Sequence, residues 1–309
     1  MSHSGSNPTH AHRQIIIGGL FVLLAAFGFS AKSILVKLAY EASPQLDAIT
    51  LMLLRMAISL PFFLVVALWS ARQSTQAQLL KIQDKLMVLG LGILGYYLSS
   101  WLDFEGLAYI SAGLERLILF LYPTYVVLLT AALQRRAINR HQAIALVLSY
   151  AGMILVFVDN VLQAASPDLI LGSVLVASSS LSFAVFMIGS GVVIKQIGSM
   201  RFTAYSMTVA CIVTGLHFLV LHGPAPLNLP IKVYGLATIM AIFSTVVPAF
   251  LMNAGIQRVG AGSAAIISSV GPILTLALAF FLLDEALSFT QLGGTVLILI
   301  GVYVVSRKK

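Results

Sequence analysis

Charge is what this sequence has least of. Only 9% of its 309 residues are Asp, Glu, Lys or Arg, where a soluble domain carries roughly 25%. That shortage excludes a water-soluble enzyme, a disordered chain and a coiled coil. Cysteine occurs once, at Cys211, inside an apolar run. An internal disulfide is therefore excluded, and packing is its expected role. The G-x-S-x-G, H-E-x-x-H and G-x-x-x-x-G-K-[ST] patterns are all missing. With them go the usual serine nucleophile, zinc peptidase and nucleotide phosphate loop. His3, His10 and His12 lie in a polar stretch, 1–13, read as a disordered tail, and neither a metal nor a cofactor is expected.

What fills the chain instead is apolar: 59% of residues are hydrophobic, and the mean hydropathy is +1.00. A bilayer core of about 30 Å takes about 20 helical residues per crossing. The runs predict spans at 14–40, 46–70, 86–108, 111–133, 141–158, 169–194, 202–222, 232–256, 261–283 and 289–306. Breakers separate them, among them Ser43-Pro44, Ser166-Pro167 and the run from Gly223 to Pro230. The first run has no small-residue cleavage site after it and is read as a spanning helix, not a signal peptide.

Loop charge gives direction. Alternate connections, beginning with the N-terminal tail, hold Arg13; Arg72, Lys81 and Lys85; Arg135, Arg136 and Arg140; Lys195 and Arg201; Arg258; and Arg307, Lys308 and Lys309. The other connections hold Lys232 alone. Basic loops stay cytoplasmic, so both termini are expected inside, in a multi-pass protein of the cell inner membrane. The net charge of +8 then belongs to loops at lipid headgroups, and nucleic acid is excluded as a partner.

Displaced by 149 residues, the chain matches itself: Gly106 with Gly255, Gly113 with Gly262, Pro123 with Pro272, Gln142 with Gln291 and Gly152 with Gly301. No gap is needed. The expected division is a first five-helix repeat at 14–158, a periplasmic linker at 159–168 and a second repeat at 169–306. Five spans is an odd number, so the second copy enters the membrane upside down. Such inverted repeats form a site at their interface and rock about it.

Two stretches carry a family resemblance: YISAGLERLILFLYPTYVVLLTA (109–131) and GAGSAAIISSVGPILTLALAFFLLDEALSFTQLGGTVLILIGVYVV (260–305). They resemble the EamA-type branch of the drug/metabolite transporter superfamily. The order Pro272, Glu285, Gly301 is similar to the family's pattern, whereas Arg136 stands at the position matching Glu285. The resemblance implies an all-α membrane protein of ten helices. It also implies a central cavity lined by the first, third, fourth, sixth, eighth and ninth of them.

Ionisable groups within spans are expensive, at roughly 2.5–3.5 kcal/mol on insertion scales, and mark sites or structural pairs. Apart from His217 in the seventh span, they fall in the first repeat: Lys32, Lys37, Arg55, Asp103, Glu105, Glu115 and Arg116. They read either as a polar vestibule that selects substrate by charge or as an ion-pair network sealing the helices. Arg55 lies on a helix the resemblance does not place at the cavity. Tyr97, Trp101 and Glu105 share one stripe of the third span, and Glu115 and Tyr122 one of the fourth. In the second repeat Asn253 is the better site candidate. The substrate-binding or coupling set is therefore Lys32, Tyr97, Trp101, Glu105, Glu115, Arg116, Tyr122 and Asn253. Within it, Glu115 is expected to face the lumen, and Arg116 to pair with Asp103 or Glu105. Pro123 and Pro272 are candidate hinges, each expected to kink a continuous helix. The expected function is a secondary carrier that exports a small metabolite, amino acid or drug by alternating access. An intramembrane enzyme and a channel are the alternatives. The bilayer is a partner, protons are an open coupling partner, and the oligomer is left as monomer or homodimer.

Overall fold

A computed structural model describes residues 8–72, 81–133, 135, 140–164, 167–224 and 228–306. No strand occurs among the described residues. The helices are α1 (Pro8–Ala42), α2 (Ala48–Arg72), α3 (Ile82–Tyr109), α4 (Ala112–Leu133), α5 (Arg140–Ala164), α6 (Pro167–Ile197), α7 (Ser199–His222), α8 (Ile231–Gly260), α9 (261–283) and α10 (Phe289–Ser306). Seven of them, α1–α4 and α6–α8, are long and apolar enough to cross a membrane. Three shorter apolar stretches, Leu146–Val158, Gly271–Leu283 and Phe289–Gly301, lie in α5, α9 and α10. Large apolar side chains such as Leu68, Val147, Val220 and Phe281 stand exposed on the outside. Exposure on that scale suits hydrocarbon, not water.

Boundaries move where a proline opens a helix, because the first turn has no use for the missing N–H. Helix α1 starts at Pro8, so residues 8–13 of the expected tail are helical, and 1–7 lie outside the described residues. Helix α5 runs on to Ala164 and α6 starts at Pro167, which leaves 165–166 of the expected linker undescribed. The loop cations Arg136, Arg307, Lys308 and Lys309 are also outside the described residues.

The two repeats interlock through matching glycine contacts. A Cβ on Gly106 of α3 would stand 2.5 Å from Val176 Cγ2 and 3.0 Å from the Gly172 carbonyl of α6. A Cβ on Gly255 of α8 would stand 2.4 Å from Val22 Cγ2 and 3.0 Å from the Gly18 carbonyl of α1. The first helix of each repeat thus packs, through the same residue types, on the third helix of the other. Small residues let the backbones approach, which is how apolar helices gain dispersion contact where no water drives them together. Helix α5 meets α10 similarly, with Gly152 against the Gly294 carbonyl.

Irregularities also repeat. Helix α3 carries a π-helical stretch at Gly92–Leu98 and α8 one at Ile242–Val246, equivalent places at a displacement of 149. Helix α4 breaks at Phe120–Leu121, and α9 narrows to a 3-10 turn at Ser268–Val270. Pro123 and Pro272 directly follow these breaks, each in the first turn of the next segment. The expected mid-helix kink is therefore replaced by two short helices meeting end to end. There the carbonyl that a proline would strand finds another donor. Leu119 O, four residues before Pro123, accepts from the Ser180 hydroxyl at 2.8 Å.

Candidate functional site

A cavity of about 120 Å³ lies between the repeats. Its wall draws on α1 (Phe29, Lys32), α3 (Tyr96, Ser99, Ser100), α4 (Arg116, Tyr122), α6 (Ser179, Phe183), α8 (Ser244, Thr245) and α9 (Ser268, Gly271). Those are the six helices the resemblance implies. Helices α2 and α7 add Arg55, Met56 and Met207. The space exists because so many wall residues are small. Gly95, Ser99, Ser100, Ser179, Ser244 and Gly271 fill little volume beside the aromatic and methionine walls. Both breaks in the helical ladder open here, through Phe120 of α4 and Ser268 of α9, and so does the second π stretch, through Ser244 and Thr245. π-Helical insertions occur frequently at functional sites.

Lys32 reaches Asp103 at 2.5 Å, with the two side chains 12% and 1% exposed. Lys32 touches the cavity, and the carboxylate stands behind it. Glu115 is fully buried, accepts from the Ser33 hydroxyl at 2.7 Å and is not a wall residue. Its carboxyl group is an electrostatic neighbour of that of Asp103. Asp103 Oδ1 and Glu115 Oε1 have no donor among the described residues.

Arg116 exchanges places with the expectation for Glu115. It touches the cavity, and its guanidinium ties three helices together: Nε donates to Thr275 Oγ1 at 2.8 Å and Nη2 to the Phe29 carbonyl. It pairs with neither Asp103 nor Glu105. The reason is that Lys32 already occupies Asp103, while α4 turns its 116 face toward α1 and α9. Glu105 lies half-buried beside Tyr109, away from the wall.

The aromatic stripe of α3 also faces elsewhere. Tyr97 Oη meets His217 Nδ1 at 2.9 Å, and the Trp101 ring stands edge-on to His217 with centroids 5.2 Å apart. Helix α7 therefore claims both side chains, and the adjacent face, Tyr96 with Ser99 and Ser100, reaches the cavity. Tyr122 lies on the wall, bonded to Ser268 Oγ at 2.6 Å and edge-on to Phe183. Asn253 sits one layer back. Its amide donates to Tyr96 Oη and to Thr203 Oγ1, each at 2.8 Å, and so holds Tyr96 in place.

Two groups lay outside the site set read from sequence. Arg55 reaches the wall from a helix assigned elsewhere; a cation inside an apolar span was its only signal. Glu285 has a structural role that the family pattern left unspecified. Its carboxylate accepts from the backbone N–H groups of Ala112 and Gly113 at 2.9 and 3.1 Å. It thereby caps the N-terminus of α4 from the other repeat, where negative charge favours the helix dipole.

An apolar helical shell around a largely apolar cavity that carries a few charged and hydroxyl groups, built twice over, defines a multi-pass membrane protein of the transporter class. The profile of the EamA-like transporter family matches residues 16–158 and again residues 170–307, and the chain belongs to that family. The uncharacterized transporter YcbK of Bacillus subtilis is 32% identical over 286 residues, spanning 91% of this chain and 90% of its own. An uncharacterized transporter of Archaeoglobus fulgidus is 24% identical over 264 residues, 85% of this chain and 90% of its own. A solved crystal structure with 17% identity has the same fold, at a TM-score of 0.65 over 93% of this chain and 96% of that one. Family and relatives alike point to transport and away from enzymatic chemistry.

Proposed function

We propose that the protein is a secondary carrier that moves a small metabolite across the cell inner membrane, outward, by alternating access. The supporting observation is the cavity itself, which lies between two copies of one family unit and is walled by both. Ten crossings with both termini cytoplasmic fit the loop charges. An odd number of crossings per copy inverts the second repeat, so the interlocked pairs α1 with α8 and α3 with α6 are counterparts under a half-turn in the membrane plane. The paired breaks before Pro123 and Pro272 are the assigned hinges: two half-helices meeting at the cavity change angle without stretching a continuous ladder. Lys32, Arg116 and Tyr122 are the wall groups assigned to substrate, with Tyr96 held by Asn253.

Reconstituted proteoliposomes test the reading. Uptake and efflux of a metabolite panel are measured with and without an imposed proton gradient. Saturable flux of at least one small solute, with counterflow from the far side, is expected. Flux that never saturates is the behaviour of a channel, and no flux for any solute removes the carrier reading. Acceleration by the gradient assigns proton coupling, for which the neighbouring Asp103 and Glu115 carboxyls are the candidate groups.

A further inference from the structure

Among the described residues, three cations, Lys32, Arg55 and Arg116, touch the cavity, and no carboxylate does. The two nearest acids, Asp103 and Glu115, stand behind the wall. Even with both ionised, the local balance stays positive. The three cations differ in what they have left to offer. Lys32 is engaged by Asp103, and Arg116 is held by the bonds of Nε to Thr275 and of Nη2 to the Phe29 carbonyl. Arg55 is 3% exposed, and its Nε and Nη2 have no hydrogen-bond partner among the described residues. Its guanidinium carbon lies over the Phe104 ring, 4.6 Å from the centroid, a contact that leaves the Nε and Nη2 donors unused. Ser244, on the same wall from the other repeat, is 2% exposed, and its hydroxyl also lacks a partner. Buried donors are almost always satisfied, and a guanidinium is the side chain best suited to hold a carboxylate by two parallel bonds. The rest of the wall, with Phe29, Met56, Phe183 and Met207, suits an apolar body.

We propose that Arg55 and Ser244 form the anchor for the carboxylate of a small organic acid whose apolar body lies along the aromatic and methionine side of the cavity. This rests on the carrier reading and narrows it to a substrate class. One repeat supplies the charge and the other the hydroxyl, so a bound carboxylate bridges the two halves that must move against each other.

The test uses the full chain in lipid nanodiscs, with ligand-dependent thermal shift as readout. The probes are a set of short aryl and alkyl monocarboxylates, each beside its neutral amide; 3-phenylpropanoate and 3-phenylpropanamide are one such pair. At least one acid is expected to raise the unfolding midpoint saturably, with its amide about tenfold weaker or inert. Arg55→Gln should weaken the acid about tenfold or more and leave the amide unchanged. Arg55→Lys should fall between, and Ser244→Ala should weaken the acid by a smaller factor. Equal binding of acid and amide, no response to any acid, or undiminished acid binding by Arg55→Gln overturns the anchor. If Arg55→Gln does not fold, the wild-type acid and amide pairs together with Ser244→Ala decide the matter. Acid binding without flux in proteoliposomes sinks the carrier and spares the anchor. Saturable flux of amines or neutral solutes alone does the opposite.

Discussion

Asp103 depends on Lys32. At 1% exposure the carboxylate has little water, and the ammonium 2.5 Å away is its ion-pair partner. Removing one member of a buried pair typically costs about 3–5 kcal/mol, whereas replacing both by apolar groups is often neutral. Lys32→Ala should therefore lower the unfolding midpoint in detergent sharply, and Lys32→Met combined with Asp103→Leu should recover most of it. A double variant no better than the single would mean that the pair is not the unit. The neighbours Glu115 and Arg116 should also behave differently. Glu115→Gln retains an acceptor for the Ser33 hydroxyl and adds no charge, so folded yield should hold. Arg116→Ala removes charged donors from Thr275 and the Phe29 carbonyl, at about 1.5–3 kcal/mol for each such bond. Size-exclusion recovery of the two variants compares them directly, and equal recovery would remove the tying role given to Arg116.

At the scale of elements, the close crossings are set by single glycines. A Cβ at Gly106 or Gly255 meets a valine methyl and a carbonyl oxygen of the facing helix at 3.0 Å or less. Overpacking of that kind costs about 1–3 kcal/mol. Gly106→Ala and Gly255→Ala should therefore destabilise by similar amounts, because they occupy matching crossings. Gly90→Ala makes the control: nothing lies within 4 Å of its Cβ position. In a helix interior that change should be neutral or stabilising by about 0.5–1 kcal/mol. Thermal midpoints for the three variants check the ordering, and a Gly90 variant as damaged as the others would undo the crossing argument. These crossings were half-legible. The 149-residue displacement marked Gly106 and Gly255 as counterparts, but Val176, Gly172, Val22 and Gly18 became their partners only through tertiary packing.

For the whole molecule, sidedness is the property most open to a direct check. Reporter fusions after Ser306 and within 223–231 should report opposite faces of the membrane, with the C-terminal one cytoplasmic. The same face for both would remove the ten-crossing arrangement, although the interlocked repeats would remain. The interlock rests on glycine contacts between helices, and the sidedness on loop charge.

Composition and spacing determined that the chain is helical and lives in a bilayer, since a segment with almost no charge has no stable place in water. They also determined that it is built twice, since Gly, Pro and Gln cannot recur in register by hydropathy alone. Lys32, Arg116 and Tyr122 were legible as site candidates for a similar reason: a polar group inside an apolar span needs a partner or a cavity. Which face of each helix meets that cavity was not legible. Rotation about a helix axis depends on what the neighbouring helix offers, as His217 does for Tyr97 and Trp101. The π stretch at Gly92–Leu98 compounds this, because it winds by a different period from the one used to read faces. Arg55 is the clearest case. Its sequence context shows a cation in a span and nothing more. Only the fold sets it against Phe104, beside a cavity wall with its Nε and Nη2 donors unspent, because those neighbours come from helices far away in the chain.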